Sequence, residues 1–251
     1  KAYCAYKLDL SKAYDRVDWT FLEQMMRRLG FADRWVRWIM TCVTSVRYCC
    51  NVNGVLSDSF APSRGLRQGD PLSPFLFIFV AEGLAAILKQ RATSQQLTPL
   101  RVCPRAPGIS HLMFADDTLL FFRATEQEAS HVKCALATFA QATGQLINPQ
   151  KCSILFGEHC RRTDQDAVVL SLELQQHSFE ECYLGLATPN GRMSKGMFQN
   201  LEQKYMKRMV EWDGNQLEQS GREVLIKSIA QSIPTYIMRV FKLSAATCED
   251  L

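Results

Sequence analysis

Hydrophobic and polar positions alternate with period two at the start of the chain. In Tyr3-Cys-Ala-Tyr-Lys-Leu-Asp-Leu10, Cys4, Tyr6, Leu8 and Leu10 fall on one face and Lys7 and Asp9 on the other. That pattern predicts a half-buried strand with Asp9 near its C-terminal end. A helix is expected from near Ser11, with Trp19, Phe21, Leu22 and Met25 on its apolar side. A second should follow Gly30-Phe31 and carry Trp35, Trp38 and Ile39. Residues 46–56 read as a hairpin turning at Asn53-Gly54, a dipeptide favoured in tight hairpin turns. Residues 75–88 are almost wholly apolar. The run is short for a membrane span, carries Glu82 and follows Pro71 and Pro74, so a helix buried beneath a sheet is expected. A loop with Pro99, Pro104 and Pro107 leads to two short apolar runs on either side of Asp116-Asp117. They read as an antiparallel hairpin with both carboxylates at its tip. Residues 126–143 predict an amphipathic helix through Ala129, Val132, Leu136 and Phe139, ended by Gly144. Strands are expected near 152–156 and at Tyr183, and the pattern turns helical from about Ser194. The fold class is therefore α+β, an antiparallel sheet backed by helices. A domain change is expected near residue 188, at the turn Thr188-Pro-Asn-Gly191.

The Asp116-Asp117 pair carries the chemistry. Like charges repel, and Asp is depleted in strands. A plain hairpin turn with solvated Asp residues accounts for the pair as well as a site does, since Asp suits tight turns. Asp9 changes the balance. Strands pair at ~4.8 Å, so a strand ending at Asp9 can deliver a third carboxylate beside the hairpin tip. Three carboxylates make an oxygen-rich site suited to Mg²⁺. Two such ions ~4 Å apart can clamp the attacking and leaving oxygens of a phosphoryl transfer.

Five motifs carry a resemblance. Lys7-Leu-Asp-Leu-Ser-Lys-Ala-Tyr-Asp-Arg-Val17, Arg64-Gly-Leu-Arg-Gln-Gly-Asp-Pro-Leu-Ser-Pro74 and Phe114-Ala-Asp-Asp117 occur in that order. Gly144-Gln-Leu-Ile-Asn-Pro-Gln-Lys-Cys-Ser153 and Tyr183-Leu-Gly-Leu186 follow them. Together they resemble the core motifs of reverse transcriptases of the non-LTR (LINE-type) retrotransposon group, in the form common in plant genomes.

The resemblance implies a polymerase palm with partial fingers over residues 1–188 and a helical thumb over 189–251. It implies that Asp9 and Asp116 are the principal metal ligands, with Asp117 as partner acid and the Leu10 carbonyl as a backbone ligand. Tyr14 matches the bulky gate that crowds a ribose 2′-hydroxyl; equally, it can be an aromatic packing on the element after the strand. Gln68 and Gly69 match the segment against the incoming nucleotide and template. Lys151 matches a lysine that protonates the departing pyrophosphate, and Tyr183, Leu184 and Gly185 match the primer grip. The implied cofactor is a pair of Mg²⁺ ions, with Mn²⁺ as substitute. The implied partners are an RNA template, a DNA primer and deoxynucleoside triphosphates, within a larger polyprotein that carries an endonuclease. A similar palm occurs in RNA-dependent RNA polymerases, against which Ala115 and Tyr14 both count.

Composition adds bounds. A chain of 251 residues, 47% of them hydrophobic, can bury a sizeable core. A net charge of +4 is too mild to predict nucleic-acid binding by itself. Lys204, Lys207 and Arg208 share a face of an expected helix, where they either contact nucleic-acid phosphates or form a solvated surface. The ten cysteines include no Cys-x-x-Cys pair. They read as reduced, mostly buried thiols, consistent with a nuclear or cytoplasmic protein without a membrane span. The chain begins only a few residues before its first motif, so a missing N-terminal fingers segment is expected. A truncated, inactive remnant that only binds nucleic acid is the alternative to a working polymerase core.

Overall fold

The computed structural model describes residues 2–174, 182–187, 198–213, 218–243 and 247–248. The chain divides into two compact units, Lys1–Phe179 and Glu180–Leu251. In the first, Tyr3–Leu8 forms a strand, β1, that buries Cys4, Tyr6 and Leu8. The helix expected from near Ser11 begins only at Trp19 (α1, Trp19–Arg28). Lys12 takes a left-handed backbone, φ +51°, which no right-handed helix can run through. A short 3₁₀ turn, Tyr14–Arg16, follows it. Asp18 then caps α1, its carboxylate accepting from the Phe21 N–H at 2.8 Å.

The next elements are α2 (Asp33–Thr44) and the hairpin strands β2 (Asn51–Val52) and β3 (Val55–Leu56). Asn53 and Gly54 both have positive φ, 53° and 85°, as the expected tight hairpin turn requires. The apolar run forms α3 (Ser73–Thr93). By length and composition alone it could cross a membrane. It instead buries Leu76, Phe77, Val80, Leu84 and Leu88 in the core of this unit. The Asp-Asp hairpin is β4 (His111–Phe114) and β5 (Asp117–Arg123). α4 spans Glu126–Thr143, opened by Thr125, whose hydroxyl accepts from the Glu128 N–H, and closed by Gly144 at φ 74°. β6 (Ser153–Phe156) completes the sheet. A further helix, α5 (Arg162–Leu172), was not expected; its first turn is polar and it buries only Val168, Val169 and Leu172.

The sheet order is β4-β5-β1-β6, with every neighbouring pair antiparallel. One face is dry. Cys4, Tyr6, Leu8, Leu120, Phe122 and Ile154 join residues of α3 and α4 in a single core. The other face is open and leaves Leu112, Phe114 and Leu155 exposed.

In the second unit, β7 (Cys182–Tyr183) and β8 (Leu186–Ala187) make a small hairpin. The helices α6 (Gln199–Asp213), α7 (Gln219–Leu225) and α8 (Ser232–Met238) follow, as the helical pattern predicts. The Tyr236 hydroxyl donates to the Leu184 carbonyl at 2.7 Å, tying the hairpin turn to α8. The turn expected at residue 188 lies outside the described residues.

Two sets of bonds fix the segment 9–18 that follows β1. On one side, residues 143–148 run along it. The Asn148 N–H donates to the Asp9 carbonyl at 3.0 Å, the Ser11 N–H to Leu146 at 2.7 Å and the Asp18 N–H to Thr143 at 3.0 Å. On the other side, the Leu66 and Gly65 N–H groups donate to the Tyr14 and Val17 carbonyls, both at 2.8 Å. Gly65 is required there. Its φ is +94°, and a Cβ would lie 2.6 Å from the Asp15 carbonyl oxygen. Gly69, at φ +83°, has open space around it. Gly69→Ala should therefore cost only the left-handed backbone penalty, about 1–2 kcal/mol. Gly65→Ala should cost about 1–3 kcal/mol more through the clash. Urea unfolding midpoints check this, and equal losses for the two variants would contradict it.

Candidate active site

The acids are assembled by strand register. β1 and β5 pair as far as Leu8↔Thr118; Asp9 follows that pair on one strand and Asp117 precedes it on the other, so alternation carries both acids to the face opposite Leu8 and Thr118. That is the open face, because Leu8 and Thr118 are buried. β4 and β5 close through Phe114↔Asp117, which leaves Ala115 and Asp116 as the two-residue tip. Asp117 therefore opens β5 rather than sharing the tip with Asp116, a correction to the sequence reading. Ala115 bends the tip at φ +52°. A residue with a Cβ at positive φ is uncommon and carries strain. Asp116 is exposed, whereas Asp9 and Asp117 are half-buried.

Asp9 is held from residues 147–152. Its carbonyl accepts from Asn148, its N–H donates to the Cys152 sulfur at 3.4 Å, and Leu10 bridges to Ile147. Leu10 itself is buried. Lys151 is exposed in the turn before β6, and its N–H donates to the Asn148 carbonyl at 3.1 Å. One residue, Asn148, thus links the backbones of Asp9 and Lys151. Burial pushes the Cys152 thiol up from its ordinary range, so it stays protonated at neutral pH.

Tyr14 is half-buried, with its ring stacked on Phe77 at 4.9 Å between centroids. Burial raises the pKa of its hydroxyl, and the negative charge of Asp116 raises it further. Tyr14 therefore lies within electrostatic reach of the hairpin tip while packing on the core helix, as the packing reading of it expects. Gln68 and Gly69 are exposed in the loop that Gly65 and Leu66 anchor to the Tyr14 turn. Past them, Asp70 pairs with Arg67 in the turn before α3, its carboxylate accepting from the Leu72 N–H at 2.8 Å.

Among the described residues, no three His, Cys, Asp or Glu side chains are gathered closely enough to hold a metal ion. Asp9, Asp116 and Asp117 form an open set of carboxylates at one end of the sheet. Such a set fits a hard divalent ion that shares its shell with water and substrate phosphate. In the second unit, Tyr183, Leu184 and Gly185 occupy the β7–β8 hairpin, with Leu184 and Gly185 both at positive φ. Lys204, Lys207 and Arg208 lie on exposed positions of α6.

Two residues escaped the sequence reading. Cys152 and Gln145 lie inside the fourth motif, yet nothing in the spacing places either against the Asp9 segment. Gln145 is 3% exposed and its side-chain N–H donates to the Ala13 carbonyl at 2.9 Å. Nor are the cysteines mostly buried as expected, since among the described residues Cys42, Cys49, Cys50, Cys103, Cys134 and Cys248 are exposed on surface loops and helix faces.

The Tyr14–Asp116 coupling is testable. Asp116→Asn should move one tyrosine ionisation to lower pH in a difference absorbance titration, without restoring an ordinary value, because burial persists. Superimposable titrations would separate Tyr14 from the tip.

Comparison with known proteins accords with this geometry. The chain is 33% identical over 156 residues to the Pol polyprotein of the type-1 retrotransposable element R2 of Popillia japonica, covering 61% of this chain and 24% of that protein. It is 29% identical over 234 residues to the transposon TX1 149 kDa protein of Xenopus laevis, covering 90% of this chain and 17% of that one. The chain thus spans a quarter or less of these two relatives. Among solved structures, a Candida tropicalis telomerase in complex with a fragment of telomeric RNA shares the fold. Its TM-score is 0.53 at 14% identity, covering 99% of this chain and 41% of that one. The family profile described as reverse transcriptase (RNA-dependent DNA polymerase) matches residues 1–188, and the chain belongs to that family.

Proposed function

We propose that this chain is the catalytic core of an RNA-directed DNA polymerase. It would add deoxynucleotides to a primer 3′ end on an RNA template during retrotransposition. The observation that supports the reading is the β1–β5 register, whose last pair Leu8↔Thr118 is flanked by Asp9 on one strand and Asp117 on the other, next to the Ala115-Asp116 tip. Phosphoryl transfer asks mainly for positioning and charge neutralisation, and an open carboxylate set with an apolar sheet behind it suits both.

Asp9, Asp116 and the Leu10 carbonyl would hold a pair of Mg²⁺ ions, or Mn²⁺ in their place, with Asp117 in support. When bound, the ions lower the pKa of the primer hydroxyl and neutralise charge on the transferred phosphate. The chain's own groups do the rest. The Tyr14 ring crowds the 2′ position of the incoming sugar. Gln68 and Gly69 lie along the nucleotide and template. Lys151 hands a proton to the departing pyrophosphate. Tyr183, Leu184 and Gly185 grip the primer end, and Lys204, Lys207 and Arg208 neutralise backbone phosphates.

Primer extension on RNA and DNA templates, with Mg²⁺ or Mn²⁺, tests the reading. Incorporation is expected, falling at least about a thousandfold in Asp116→Asn, since several kcal/mol of transition-state stabilisation would go with the ligand. Tyr14→Ala should incorporate ribonucleotides that the unaltered chain rejects. Primer–template binding without incorporation would instead identify a nucleic-acid-binding remnant.

A further inference from the structure

The contacts along the segment 9–18 change character at one place. Asp9, Ser11 and Asp18 are held by backbone-to-backbone bonds from residues 143–148. At Lys12, φ +51° turns the chain out of that ladder. Ala13, the next residue, has its carbonyl met by a side chain instead, the amide of Gln145 at 2.9 Å. The orientation of that amide is forced, because a carbonyl only accepts and so must face the N–H₂ end. Gln145 is brought there by Gly144, whose left-handed φ of 74° ends α4. A Cβ on Gly144 would meet the Arg16 carbonyl oxygen at 2.8 Å. The Arg16 guanidinium donates back to the Gly144 carbonyl at 3.3 Å. The side chain therefore replaces the missing ladder bond one residue before Tyr14.

The energetics set this amide apart from ordinary core packing. Gln145 is 3% exposed, and its Oε1 has no hydrogen-bond partner among the described residues. A half-satisfied buried amide is a poor stabiliser on its own account, whereas losing its donor would leave the buried Ala13 carbonyl without this partner. Its contribution is a fixed position for the Ala13 carbonyl. From there the constraint runs directly to the Tyr14 ring. The Tyr14 carbonyl is the acceptor for Leu66, so the same turn also fixes the loop bearing Gln68 and Gly69.

We propose that Gln145 is a positioning residue for the nucleotide site. Through the Ala13 carbonyl it holds the Tyr14 turn in the place from which the ring discriminates between deoxyribose and ribose. The proposal rests on the reading of Tyr14 as the sugar gate. Gln145 touches neither the acids nor the sugar; it acts through the turn.

Two variants test it. Gln145→Met keeps the length and removes the donor, and Gln145→Glu keeps the shape and presents an acceptor to a carbonyl. Both should lower the preference for deoxy- over ribonucleotides in primer extension by about tenfold, roughly one lost hydrogen bond. Most of the change should fall in the KM for nucleotide. A second readout needs no activity. Amide hydrogen exchange on the chain alone should speed up at Gly65 and Leu66, whose N–H groups bond the turn, and stay unchanged in β1 and β5. Unchanged sugar preference in an active variant would overturn the proposal, as would exchange that speeds up uniformly through the sheet. If the unaltered chain incorporates nothing, the polymerase reading fails. The exchange pattern then decides by itself whether Gln145 holds the turn.

Discussion

The site depends on a clasp in which residues 143–148 run against residues 9–18. Its bonds join the Asp9 carbonyl to Asn148, Ser11 to Leu146 and Asp18 to Thr143. Each is worth about 0.5–1.5 kcal/mol net, and more than that if one member is left buried without its partner. Their value lies less in the sum than in where they act. The segment they hold carries Asp9, Leu10 and Tyr14, and it leaves the sheet just where the register would otherwise stop specifying anything. From the opposite side, Gly65 and Leu66 bind the same segment and bring the Gln68 loop with them. Motifs separated by more than fifty residues are thereby fixed to one short stretch of backbone.

The sheet supplies the other half of the constraint. A one-residue slip of β1 against β5 would turn Cys4, Tyr6 and Leu8 out of the core, so register is strongly enforced. That same register ends at Leu8↔Thr118, with Asp9 and Asp117 the residues that flank the pair. Burial of one face thus specifies the geometry of charged groups on the other. Fully burying an aliphatic or aromatic side chain is worth about 1.5–3 kcal/mol, enough for a few core residues to outweigh the repulsion of exposed carboxylates. The strain at Ala115 is borne by the same ladder, which pairs Phe114 with Asp117 on either side of the tip.

Much of this was legible in the sequence, for physical reasons that differ by element. The strand ending at Asp9 and the helix over 126–143 follow from periodicity, because one face of each is buried. The hairpin at Asn53-Gly54 follows from the backbone freedom that its turn demands. The start of α1 was missed by eight residues because Lys12 adopts a left-handed backbone. Lysine carries no marker for that conformation, which tertiary contacts impose on it. α5 was missed because its polar first turn hides a narrow apolar stripe. At the site, Asp9, Asp116 and Tyr14 were readable as chemistry within a resemblance. Gln145 and Cys152 were not, since their burial depends on how two segments more than a hundred residues apart meet.

Clasp and register together would gather Asp9 and Asp116 into one divalent-ion site. A crystal structure of the chain with Mn²⁺, primer–template and an incoming nucleotide, phased on the manganese signal, tests it most directly. Anomalous density is expected at the Asp9 and Asp116 carboxylates at the sheet end, with the Tyr14 ring beside the nucleotide sugar. Manganese density that avoids both carboxylates while the nucleotide is bound would contradict it.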